Sequence, residues 1–218
     1  EDGQTVTVGL NGTNYTGSVS SNSVTITISA TDLQALNEGT NTITANVSDA
    51  AGNAASQSST TFTYDKTSPS ITSITPSWGS HLNATEDNSS GTVTVATSGI
   101  EDGQTVTVGL NGTNYTGSVS NNSVTVTISA TDLQALSEGT NTITADVSDV
   151  AGNAATQSST TFIYDKTAPS ISSITPSWGS HLNATEDNSS GTITVATSGV
   201  EDGQTVTVGL NGTNYTGS

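Results

Sequence analysis

The chain has 218 residues with no Cys and no Met, and its basic side chains, apart from His81 and His181, are Lys66 and Lys166. Its acidic residues leave a net charge of -17, which repels nucleic acid and anionic lipid and so argues against both as partners. Without Cys no disulfide can hold the fold, and no apolar run is long enough to cross a bilayer.

The segment EDGQTVTVGLNGTNYTGS stands unchanged at 1–18, 101–118 and 201–218. Residues 1–118 and 101–218 differ only at scattered positions such as Ser21/Asn121, Ile26/Val126, Asn46/Asp146, Ala50/Val150 and Val93/Ile193. A fixed period means an array of equivalent modules. A period of 100 residues is too long for a solenoid turn and fits one independently folding domain. The chain begins inside a repeat and is expected to be a stretch of a longer protein. Its acidic, Thr-, Ser-, Asn- and Gly-rich composition fits an exported bacterial surface protein.

Hydrophobic content is 30%, close to that of disordered chains, but the apolar residues alternate. In chain order, DKTSPS at 65–70 reads as a linker and Ile71 to Thr75 as a first strand. Trp78 is expected to cover an open end of the core and His81 to lie on the surface. The loop SHLNATEDNSS precedes a strand through Val93 and Val95. Further strands carry Val106, Val108 and Leu110, then Val124, Val126 and Ile128. Asn111-Gly112 is a tight-turn signal. Residues 129–141 break the pattern and predict one turn of helix, with Thr131 or Asp132 as cap, Leu133 and Leu136 on one face, and Gly139 as terminator. Ile143, Ala145 and Val147 mark another strand, and Thr160 to Tyr164 around Phe162 the last.

About seven short strands in a hundred residues predict an all-β fold: tandem immunoglobulin-like β-sandwich domains joined by short linkers. The Cys…Trp…Cys mark of antibody domains is absent, so the prediction concerns architecture only. The linkers DKTSPS and DKTAPS divide the chain into a partial repeat at 1–64, a complete one at 65–164 and a partial one at 165–218.

The acids fall mainly in loops. Strand direction places Asp65, Glu101, Asp102 and Asp149 at one pole of the sandwich, with equivalents at Asp165, Glu1, Asp2, Glu201, Asp202 and Asp49. Glu86 and Asp87 fall at the other pole, as do Asp132 and Glu138, which face the next linker. Carboxylates gathered in one place need a cation or raised pKa values. Hard oxygen donors in loops suit Ca²⁺, with Asn153 and loop carbonyls to complete a shell. Zn²⁺ would require more His or Cys than the chain has.

At DKTAPS, EDGQTVTV and VSDVAGN the sequence resembles the bacterial immunoglobulin-like extender repeats of giant repeats-in-toxin (RTX) adhesins, ice-binding adhesins of marine bacteria among them. The resemblance covers the whole chain. It implies sandwich modules, Ca²⁺ in the linkers that stiffens the array, export through a type I secretion system, and a long spacer at the cell surface. The matching positions are Asp65 and Asp165, Glu101 and Asp102 with their copies, and Asp49 and Asp149. Lys after the linker Asp departs from many family members. The family's nonapeptide calcium repeats do not occur in these residues.

The expected function is therefore mechanical: calcium-rigidified spacer repeats whose partners are neighbouring repeats, forming a monomeric rod. The alternative is a multivalent module binding carbohydrate or a host surface, which predicts exposed aromatics; aromatic content is only 4%. No G-x-S-x-G, nucleotide loop or Ser/His/Asp arrangement points to an enzyme.

Overall fold

The computed structural model describes residues 1–218. Its contacts divide the chain into two compact units. One comprises residues 1–77, 92–128 and 142–161; the other comprises 78–91, 129–141 and 162–218.

In the first unit, alternation of Val and Thr builds antiparallel sheets. One sheet has the order Thr13–Ser18, Thr5–Leu10, Gly39–Val47, Ser58–Tyr64. The same order recurs one period later as Thr113–Ser118, Thr105–Leu110, Gly139–Asp146, Ser158–Asp165, of which 139–141 and 162–165 are counted with the second unit. A second layer places Gly91–Ser98 between Ser123–Ile128 and Ser70–Pro76. The inward residues Val93, Val95, Val106, Val108, Ile128 and Ile143 are all fully buried, while the alternating Thr side chains face out. The fold is an all-β, immunoglobulin-like sandwich in tandem.

The hairpins close as the sequence demands. Asn11, Asn111 and Asn211 each take φ 50°, and the glycines after them φ 80°, 77° and 82°. Two successive residues with positive φ make the turn whose twist matches its strands, which is why Asn-Gly stands there.

In the second unit, Trp78 meets Phe162 edge to face, with centroids 5.2 Å apart and planes at 69°. Leu82, Leu133 and Tyr164 complete this buried cluster. Trp78 is thus core, as expected, and His81 is exposed. His81–Asn83 forms a three-residue strand pairing in parallel with Ile163 to Asp165, an element that alternation does not announce. Ser170–Pro176 pairs with Ile193–Ser198, with the same irregularity at Ile171/Ser173 that Ile71/Ser73 shows in the first unit.

The helical turn Ala130–Gln134 is present, but its cap differs from expectation. Ser129, not Thr131 or Asp132, is the N-cap: its Oγ accepts from the Asp132 N–H at 3.2 Å and donates to Asp132 Oδ2 at 2.8 Å. The three-residue spacing lets the two side chains serve each other. Nor does Gly139 end the helix, which stops at Gln134 with Ala135 as C-cap. Gly139 opens the next strand at φ +103°.

Candidate functional site

The linker acids act first on their own backbone. Asp65 Oδ1 accepts from the Thr67 N–H at 2.9 Å, tightening the turn after the strand. Glu38 Oε1 then takes the Lys66 N–H at 3.3 Å and the Thr67 hydroxyl at 2.9 Å. The Lys66 ammonium stands 5.9 Å from the centre of the Tyr64 ring. The second linker repeats this arrangement. Glu138 Oε1 accepts from Lys166 N–H at 3.1 Å and Thr167 Oγ1 at 2.9 Å; Asp165 Oδ1 accepts from Thr167 N–H at 2.9 Å; Lys166 lies 5.6 Å from the Tyr164 ring centre. Glu138 thus meets the linker that follows it. Glu38 does the same but was not among the predicted site residues. Its signal is position: it stands 28 residues before Lys66, as Glu138 does before Lys166.

The Asp-x-x-Gly-Asn loops are closed in the same self-contained way. Asp149 Oδ1 accepts from the Asn153 N–H at 2.7 Å and Oδ2 from the Asn153 side-chain amide at 2.8 Å. Asp49 and Asn53 do likewise, at 2.7 Å each. Glu101 reaches the loop through the Val150 N–H at 3.2 Å, and Glu1 through Ala50 N–H at 2.9 Å. Burial pushes the Asp149 carboxyl up, but hydrogen bonds from the Asn153 side chain and from the N–H groups of Asn153, Gly152 and Ala151 outweigh it and hold the group below the ordinary 3.8. Asp49 is also held low, chiefly by the Asn53 side chain and backbone. Asn153 Nδ2 also donates to the main-chain carbonyl of Asp65, at 3.2 Å.

Asp65, Glu101 and Asp149 therefore meet at one loop, but through backbone groups and Asn153. Asp102 turns elsewhere and accepts from the Asn121 N–H at 2.8 Å. Asp2, Glu201 and Asp202 are exposed at the equivalent turns. Of the acids predicted at the opposite pole, Asp132 caps its helix, Glu86 Oε2 takes the Asn83 N–H at 3.1 Å, and Asp87 is buried. Asp87 Oδ2 accepts the Tyr164 hydroxyl at 2.6 Å. That bond pushes the Tyr164 pKa up to about 12, with burial and the Asp87 and Glu138 charges adding to it. A carboxylate read as a loop acid and candidate Ca²⁺ donor is thus a buried acceptor, placed by the short 3-10 turn Glu86–Asn88.

The donor set is chemically suited to Ca²⁺, being all hard oxygen. Its arrangement is not a carboxylate cage: no group of three or more His, Asp or Glu side chains stands together so as to hold a metal ion.

Residues 124–188 match the family model of the bacterial Ig-like domain (group 3). This stretch is similar to bacterial Ig-like domain sequences. The match begins in the strand Ser123–Ile128 and runs across the second linker, so the Ig-like character read from the linker and loop motifs holds. The chain is also similar to solved structures. One is a Ca²⁺-stabilized adhesin that helps an Antarctic bacterium reach out and bind ice, at 27% identity and TM-score 0.46, covering all of this chain and 54% of that one. A 1.5-MDa bacterial ice-binding adhesin gives 25% identity and TM-score 0.49, covering 98% of this chain and 71% of that one. A bacterial immunoglobulin-like domain from the M. primoryensis ice-binding adhesin gives 29% identity and TM-score 0.34, over 42% of this chain and 95% of that one. The chain spans about half the length of the first of these. No curated protein matches it.

Proposed function

We propose that this chain is a run of spacer modules of a large secreted bacterial surface adhesin, which carry a distal binding domain away from the cell and are stiffened at their junctions by Ca²⁺. The observation that carries this is the repeated linker. Glu38 and Glu138 each hold the Lys and Thr that follow the linker Asp, atom for atom. A chain of near-copies with identically braced connections serves reach rather than chemistry.

On this reading the natural unit runs from Asp65 to Tyr164, the neighbouring repeats are its partners, and its role is non-enzymatic. No helix is long and apolar enough to cross a membrane. Export through a type I system to the cell surface belongs to the same proposal. So does Ca²⁺, for which Asp65, Glu101, Asp102 and Asp149 with their copies are the first candidate donors, and Glu86, Asp87, Asp132 and Glu138 the further ones. An ion bound only by the folded state would add its binding free energy to stability. The Ca²⁺-stabilized adhesin among the similar structures is in keeping with this. The test is small-angle scattering and thermal melting of the chain with Ca²⁺ and with EDTA.

A further inference from the structure

The structure holds the Asp-x-x-Gly-Asn loop twice, in two settings. In the loop 149–153, Asp149 is 4% exposed and Asn153 is half-buried. In the loop 49–53, Asp49 and Asn53 are both exposed; the position one period before Asp65 falls ahead of residue 1, so this copy has no linker counterpart to meet. The internal geometry is the same: the carboxylate-to-Asn bonds agree within about 0.1 Å, and Ala50 and Val150 receive the same Glu contact. What differs is the contact from Asn153 Nδ2 to the Asp65 carbonyl, across 88 residues of sequence.

An Asn amide has two N–H donors on one nitrogen. Asp149 Oδ2 takes one at 2.8 Å and so fixes the amide plane; the other is left to reach the linker carbonyl at 3.2 Å. We infer that Asn153 is a positioning residue that clasps the linker to the module following it, with Asp149 orienting its amide. The inference goes beyond the spacer proposal and does not rest on its calcium part. Every atom it uses is a main-chain or side-chain group of this chain. The linker is then gripped from two sides: by Glu38 through Lys66 N–H and Thr67 Oγ1, and by Asn153 through the Asp65 carbonyl.

The unclasped loop supplies the control. Amide exchange at Lys66 and Thr67 is measured by NMR in the 218-residue chain, in EDTA throughout. Asn153→Ala is expected to speed it roughly tenfold, the loss of one hydrogen bond's protection. Asn53→Ala removes the same loop bond from the other copy and is expected to leave Lys66 and Thr67 unchanged. Unchanged rates in Asn153→Ala, or equal acceleration by both variants, would overturn the inference. A measurement without substitution guards against misfolding: in the wild-type chain the side-chain amide protons of Asn153 should exchange more slowly than those of Asn53, and equal rates would also overturn it. Whether Ca²⁺ changes the scattering leaves each of these outcomes as it stands.

Discussion

The Tyr164 hydroxyl donates to Asp87 Oδ2 at 2.6 Å, and both residues are buried. The pair joins the last strand before the second linker to the 3-10 turn Glu86–Asn88. Truncating the donor leaves a buried carboxylate short of a partner, which costs about 1–3 kcal/mol. Tyr164→Phe should therefore lower the Tm by several degrees in a calorimetric scan. Asp87→Asn keeps an acceptor oxygen and should cost less.

The same pair sets a sign for alkaline pH. The folded-state pKa of Tyr164 lies near 12 against an ordinary 10.0, so folding favours the neutral phenol. Its contribution is present in full below pH 10 and is lost as pH rises from 10 toward 12. Unfolding free energy measured against pH should fall over that window in the wild type and fall less steeply in Tyr164→Phe.

At acid pH the sign reverses. Asp149 and Asp49 are held below 3.8, so their contribution is present above that value and lost as pH falls through the lowered folded values. Carboxyl NMR titration should give both groups midpoints below those of free Asp, and Asp149→Asn should weaken the acid dependence of stability. Ordinary midpoints would contradict the loop geometry.

Gly91 is fitted to Trp78. A Cβ built there would lie 2.5 Å from Trp78 Cζ3 and 2.6 Å from Cε3, and one built at Gly191 would lie 2.4 Å from Trp178 Cζ3. Trp78 is buried and also packs edge to face with Phe162, so the ring has little room to yield. Gly91→Ala should cost about 1–3 kcal/mol by overpacking. Thermal melting checks it, and an unchanged Tm would show that the indole moves.

Much of this fold is legible because its cause is local. Val and Thr alternate wherever one strand face is buried, and Asn-Gly marks each hairpin, as the pairing of Thr105–Leu110 with Thr113–Ser118 shows. What escapes reading depends on partners distant in sequence. The strand His81–Asn83 exists because Ile163 to Asp165 lies alongside, and three residues carry no period. Asp87 looks like any solvated acid until Tyr164, 77 residues on, is placed against it. The helix cap is Ser129 rather than Thr131 or Asp132 because Ser129 and Asp132 act as a pair, which residue type alone does not announce. At the junction, residue type and strand direction single out Asp65, Glu101 and Asp149. Their oxygens, however, go first to N–H groups in the backbone and Asn153, which residue type does not reveal.

The spacer proposal turns on whether the junctions respond to calcium. Small-angle scattering of the 218-residue chain gives its maximum dimension and the breadth of its distance distribution, in excess Ca²⁺ and in EDTA. The account predicts a longer, narrower distribution and a higher Tm with Ca²⁺, with Asp149→Asn combined with Asp102→Asn reproducing the EDTA state. Equal dimensions and equal melting temperatures in the two conditions would contradict it.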